Sequence, residues 1–182
     1  MSVAHQKKIA DEIRRDLFSD DDAVVKRAIE KCHEQGNSSV VEALIAFYAS
    51  DAAETLRSDV ASMLCALKVS GVEVYFEAAL KNPALSHIHK DLISFMWNSD
   101  INPSGMLSEI SAIAVNGDYS TRLECLTLIE NSEAVFPEEN LLPAIELLTQ
   151  FLGNRPLHDA DPLLMDMLSN LNGRRVVSEN SQ

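Results

Sequence analysis

Ala53-Glu54-Thr55-Leu56-Arg57-Ser58-Asp59-Val60-Ala61-Ser62-Met63-Leu64-Cys65-Ala66-Leu67-Lys68 is the stretch on which the fold turns. Leu56, Val60, Met63, Leu64 and Leu67 recur at i, i+4, i+7, i+8 and i+11, the spacing that gathers side chains on one face of an α-helix. Charged and hydroxyl residues fill the opposite face. A half-buried strand would alternate apolar and polar residues, and nowhere in the chain does that alternation persist over a useful length.

The same spacing recurs on both sides of this segment. Val25, Ala28, Ile29 and Cys32 form a stripe, as do Leu85, Ile88, Leu92 and Met96. Met106, Ile110 and Ile113 form another, and Leu141, Ile145, Leu148 and Leu152 a fourth. Helix starts lie between them: Asn102-Pro103 and Asp161-Pro162 read as an N-cap followed by proline at the first helical position. Pro137-Glu138-Glu139 and the run Asp20-Asp21-Asp22 place carboxylates at positive helix ends. Gly36-Asn37, Gly71, Asn116-Gly117, Gly153-Asn154 and Asn172-Gly173 are read as left-handed residues that close helices. Together these signals predict about ten helices, at 4–18, 22–35, 38–50, 53–69, 72–82, 85–98, 103–116, 119–132, 138–152 and 161–171.

Alternate helices align on a pair that ends in a basic residue. Val25-Lys26, Leu56-Arg57, His89-Lys90 and Thr121-Arg122 follow one another at intervals of 31, 33 and 32 residues. The intervening helices align on Glu42, Glu77, Glu109 and Glu146, spaced by 35, 32 and 37 residues. Cys32 and Cys65, 33 residues apart, fall near one internal position of consecutive repeats. A two-helix repeat of this length, without the tryptophan and glycine signature of tetratricopeptide repeats or an ankyrin-type Thr-Pro-Leu-His stretch, resembles the HEAT-like members of the armadillo superfamily over residues 20–152. The resemblance implies an all-α, right-handed α-solenoid of about ten antiparallel helices, or about five HEAT-like hairpins. Stacking is needed because one hairpin cannot hide both of its apolar faces. The helix 4–18 would cap one end and the helix 161–171 the other. Helices 1–2 and 3–4, or 2–3 and 4–5, satisfy the sequence equally as hairpins, and the choice exchanges the concave and convex faces.

One domain is expected over residues 1–172, with 173–182 an aperiodic, disordered tail. Fifteen basic against 28 acidic residues give a net charge of −13, which repels phosphate backbones and anionic membranes. Neither nucleic acid nor membrane is therefore an expected partner. The three cysteines, Cys32, Cys65 and Cys125, are odd in number and in no C-x-x-C arrangement, as in a reducing compartment such as the cytoplasm. No run of apolar residues reads as a secretion signal or a membrane span.

Signatures of chemistry are sparse. There is no G-x-S-x-G, no glycine-rich phosphate loop and no H-E-x-x-H, so no catalytic residue, no cofactor and no metal is assigned. His87 and His89, two residues apart, would point roughly 200° apart on a helix and share no ion. The expected function is a non-catalytic scaffold for protein–protein interaction, and a homo-oligomer built through an end helix is a variant of it. In HEAT-like arrays the second helix of each hairpin lines the concave groove, so the resemblance implies that Glu42, Glu77, Glu109 and Glu146 form an acidic ladder for a basic partner. Trp97, the only tryptophan, is the other candidate contact, weighed against simple core packing. Catalytic families on HEAT-like repeats, DNA glycosylases and bilin lyases among them, are the alternative. The glycosylases carry a basic, aromatic-rich concave face, and the acidity and 5% aromatic content here argue against that class. A small ligand between hairpins is neither supported nor excluded.

Overall fold

A computed structural model describes residues 3–35, 38–154 and 161–179, with side chains at 8–32, 38–154 and 161–175. Every regular element among them is helical. Ten α-helices run in order: α1 (Val3–Leu17), α2 (Asp22–Gln35), α3 (Val41–Tyr48), α4 (Glu54–Cys65), α5 (Glu73–Lys81), α6 (His89–Asn98), α7 (Leu107–Asn116), α8 (Tyr119–Asn131), α9 (Glu138–Gly153) and α10 (Pro162–Glu179). Short 3-10 segments, Ser38–Val40, Pro83–Ile88 and Ser104–Met106, lead into α3, α6 and α7. They occupy the beginnings of three stretches expected to be α-helical throughout. Two of them begin at Asn82-Pro83 and Asn102-Pro103, where the asparagine side chain accepts the N–H of Ala84 (3.1 Å) and of Ser104 (2.9 Å) and tightens the first turn.

The contacts of the chain divide into two compact units, residues 1–79 and 80–182. In the first, α1 packs on α2 and α3 on α4, while α1 lies against α3 and α2 against α4. In the second, α7 packs on α8 and α9 on α10, while α6 lies beside α8, α7 beside α9 and α8 beside α10. Consecutive helices therefore pair as 1–2, 3–4, 7–8 and 9–10. Leu56, Val60, Met63 and Leu64 of the opening stretch are buried, as are Leu92, Ile93 and Met96 of α6, Ile110 and Ala114 of α7, and Leu141, Ala144 and Leu148 of α9. At about 25 cal/mol per Å² of apolar surface, each such leucine or isoleucine contributes about 2 kcal/mol.

Basic residues from the aligned pairs have a structural use. Arg57 Nε donates to the carbonyl of Tyr48, the last residue of α3, at 2.9 Å, and its guanidinium stacks over the Tyr48 ring at 5.1 Å. Arg122 Nε donates to the carbonyl of Ala114 in the last turn of α7 at 3.2 Å. Each arginine thus caps the negative end of the helix before it. Arg122 also binds Asp161, the residue that opens α10, at 2.6 Å. Lys26 and Lys90, at the equivalent places in α2 and α6, are exposed.

Three expectations about helix ends are corrected. α4 stops at Cys65 and not at 69, and Leu67 lies outside it; the 66–72 connection turns through Gly71 at φ +77°. Among the described residues, positive φ occurs only at Gly71 and Asp100, so the other proposed left-handed closers do not act that way. Gly117 sits at φ −83°, Gly153 is the last residue of α9 and Gly173 is inside α10. Gly36-Asn37 lies outside the described residues. α10 runs eight residues past the expected end at 171 because its own side chain anchors it. Arg174 donates to the carbonyls of Ile129 (2.6 Å), Ser132 (2.8 Å) and Ala134 (3.3 Å) and stacks over Phe136 at 4.4 Å. Of the expected tail 173–182, residues 173–179 are helical and 180–182 lie outside the described residues.

Candidate functional site

In the second unit, α6 and α8 lie side by side and a cleft of about 370 Å³ opens where both helices end. Its walls are Trp97, Asp100, Ile101 and Asn102 from the end of α6, and Leu128, Asn131, Ser132, Glu133 and Ala134 from the end of α8. The α6 terminus is shaped by a Schellman turn: Ile101 N–H donates to the Met96 carbonyl at 3.0 Å, and Asp100 takes the left-handed position at φ +56°. Aspartate tolerates this backbone better than most residues with a side chain. Ile101 is buried behind the turn, which turns the chain outward at Asp100.

Trp97 is partly exposed in this wall, and its indole N–H donates to Glu124 Oε2 on α8 at 2.7 Å. The charge-assisted bond holds the ring plane. The opposite wall is stiffened from behind by Arg174, whose guanidinium is committed to the 129–134 carbonyls and to Phe136. Burial lowers the Arg174 pKa from its ordinary value. Among the described residues, no lysine, arginine or histidine lines the cleft.

The four glutamates are dispersed over four helices. Glu42, on α3, is exposed and accepts from Arg14 of α1 at 3.1 Å. Glu77, on α5, is partly exposed and engaged within the chain. Glu109, on α7, is 22% exposed and pairs with Lys81 at 3.5 Å. Glu146, on α9, is exposed and accepts from Gln150 at 3.0 Å. α7 and α9 are packed neighbours, so Glu109 and Glu146 share one helical layer of the second unit, and Glu42 belongs to the first unit.

A second cleft in the same unit, about 640 Å³, is mixed in charge. Lys81, Lys90, His87 and His89 face Glu109 and Asp118 across it. Asp118 caps α8, accepting the Thr121 N–H at 2.8 Å and the Thr121 hydroxyl at 2.7 Å. These bonds, with nearby Lys90 adding a smaller pull, hold its carboxyl below the usual range. His89 Nε2 is buried without a hydrogen-bond partner. Among the described residues no group of three histidines, cysteines or carboxylates is arranged to hold a metal.

The thiols are poor nucleophiles. Burial pushes Cys32 up to about 11 and Cys125 up to about 12, the latter also beside Glu124, and raises partly exposed Cys65. No described helix is long and apolar enough to cross a membrane.

No family model, curated protein or solved structure matches the chain. The site therefore rests on its own geometry. Sequence reasoning singled out Trp97 but missed Asp100, Glu124 and Glu133. One signal was present for Glu124: in the 32-residue register that aligns His89-Lys90 with Thr121-Arg122, it stands where α6 carries the fully buried Leu92. A carboxylate at a position facing a neighbouring helix needs a donor, and Trp97 supplies it. The cleft itself depends on loop paths that no periodicity encodes.

Proposed function

We propose that the chain is a non-catalytic binding scaffold of HEAT-like, right-handed solenoid type, working in the cytoplasm and recognising a basic protein. The observation that supports this reading is the packing within each unit: α1–α2, α3–α4, α7–α8 and α9–α10 pair, and α1–α3, α2–α4, α6–α8, α7–α9 and α8–α10 lie side by side. Such layers offer continuous faces on which specificity can reside in side chains. The net charge of −13 favours a positively charged partner, mainly through the encounter rate and the setting of register. The raised cysteine thiols support a role without covalent chemistry.

With α3–α4, α7–α8 and α9–α10 paired, Glu42, Glu109 and Glu146 stand on the first helix of each pair and not on the second. Arg14 and Lys81 offset Glu42 and Glu109 while Glu146 accepts from the neutral Gln150, so any ladder they contribute is partly neutralised and acts chiefly at long range. The test is capture of partners from native extract by the intact protein and by the Glu42→Gln/Glu77→Gln/Glu109→Gln/Glu146→Gln variant, at low and moderate salt. A basic protein retained by the intact chain and weakened in the variant is the expected result. Capture of no basic protein by either form would sink the reading; equal capture by both would remove the ladder alone.

A further inference from the structure

Three properties of the Trp97 cleft converge on one kind of ligand. The first is an aromatic side chain in the lining, partly exposed and oriented by the 2.7 Å bond from its indole N–H to Glu124. The second is negative charge, with Asp100 on one wall and Glu133 on the other. The third is that the lining comes from the C-terminal ends of both α6 and α8, which carry partial negative charge. Arg174 offsets part of that charge behind the 129–134 segment, but it lies outside the lining and its donors are already committed.

An anion would be repelled by both carboxylates, and a wholly apolar group would strip them of water without replacing its hydrogen bonds. A cation satisfies all three, because it pairs with the carboxylates and lies against the indole face, tryptophan being the strongest cation–π partner. A volume of about 370 Å³ admits a side chain or two and excludes a folded element.

We propose that this cleft receives a lysine or arginine side chain from the basic partner, with Trp97, Asp100 and Glu133 as its contacts and Glu124 as the residue that positions the indole. The assignment rests on the scaffold reading above and names where the partner's charge is read.

Trp97 is the only tryptophan, so the intrinsic emission of the whole protein reports on the cleft directly. The full chain is titrated with hexaarginine, hexalysine and hexaglutamate, following tryptophan emission and, in parallel, heat of binding. Both cationic peptides should give a saturable emission change, and hexaglutamate none. The Asp100→Asn/Glu133→Gln variant should weaken binding about tenfold or more, the loss expected for removing a charge-assisted contact. Asparagine retains tolerance of the left-handed backbone at position 100, so the turn survives the change. The control Glu139→Gln/Asp166→Asn removes the same charge from exposed sites of the same unit and should shift affinity by less than about twofold.

The two readings fail differently. Cationic peptides that bind with equal affinity to both variants, and leave the emission unmoved, overturn the cleft while the basic-partner reading stands. A protein that takes up neither cationic peptide at low salt overturns both.

Discussion

Gly117 is held to glycine by space and not by backbone conformation. A Cβ there would lie 2.6 Å from both Cβ and Cγ2 of Thr121 and 2.9 Å from the Ile113 carbonyl oxygen. One of those contacts is backbone and another is a side-chain atom fixed to its own helix, so neither can move aside cheaply. Gly117→Ala should therefore destabilise the protein by about 2 kcal/mol, whereas Gly105→Ala, with nothing within 4 Å of its Cβ, should be neutral or slightly stabilising. Urea unfolding of both variants decides it; equal stabilities would show that the α7–α8 junction relaxes freely. Asp100 is the converse case, a side chain retained at φ +56° where glycine is usual, and its carboxylate forms part of the cleft wall. Residue identity was readable in both places, but the reason for it was not. Glycine after Asn116 suggested a left-handed closing residue, and only the approach of Thr121 shows why it is there.

At the scale of elements, one side chain often secures two helices. Arg122 caps the end of α7 through the Ala114 carbonyl and ties α8 to the start of α10 through Asp161, with both partners about four-fifths buried. Removing it leaves a mostly buried carboxylate and a carbonyl without their donor, and such orphaned groups are expensive. Arg122→Leu should cost about 2 kcal/mol, while Lys90→Leu, at the equivalent exposed place on α6, should change stability by less than about 0.5 kcal/mol. Thermal melts of the two variants test this, and similar losses would refute a distinct role for the arginine. The alignment of basic residues every 31–33 positions was visible in the sequence. That Arg57 and Arg122 of the series reach back to the preceding helix was not, because a hydrogen bond to a carbonyl leaves no pattern in side-chain types. Arg174 illustrates the same limit: after Gly173 the apolar period is lost, yet α10 continues because carbonyls some 40 residues earlier in the chain receive its guanidinium.

For the whole molecule the dominant sequence property is charge. A net charge of −13 is self-repulsive, and ions within about 10 Å screen it at 0.1 M salt. The melting temperature should therefore rise between about 20 and 200 mM sodium chloride. A fall would mean that the ion pairs, Arg122–Asp161 and Lys31–Glu12 among them, outweigh repulsion between like charges. The same screening should weaken a basic partner, so stability and binding should respond to salt in opposite directions.

Sequence alone determined that the protein is all-helical and, within a few residues at most boundaries, where its helices lie. Apolar residues at helical spacing and capping residues at the starts act locally and need no knowledge of distant neighbours. It also set the net charge of −13. Only the tertiary structure decided which helices pair, that the contacts divide into two units, and that Trp97 stands partly open in a cleft beside Asp100 and Glu133. Those outcomes depend on packing and hydrogen bonds between residues tens of positions apart, and the order of residue types along one chain does not record them.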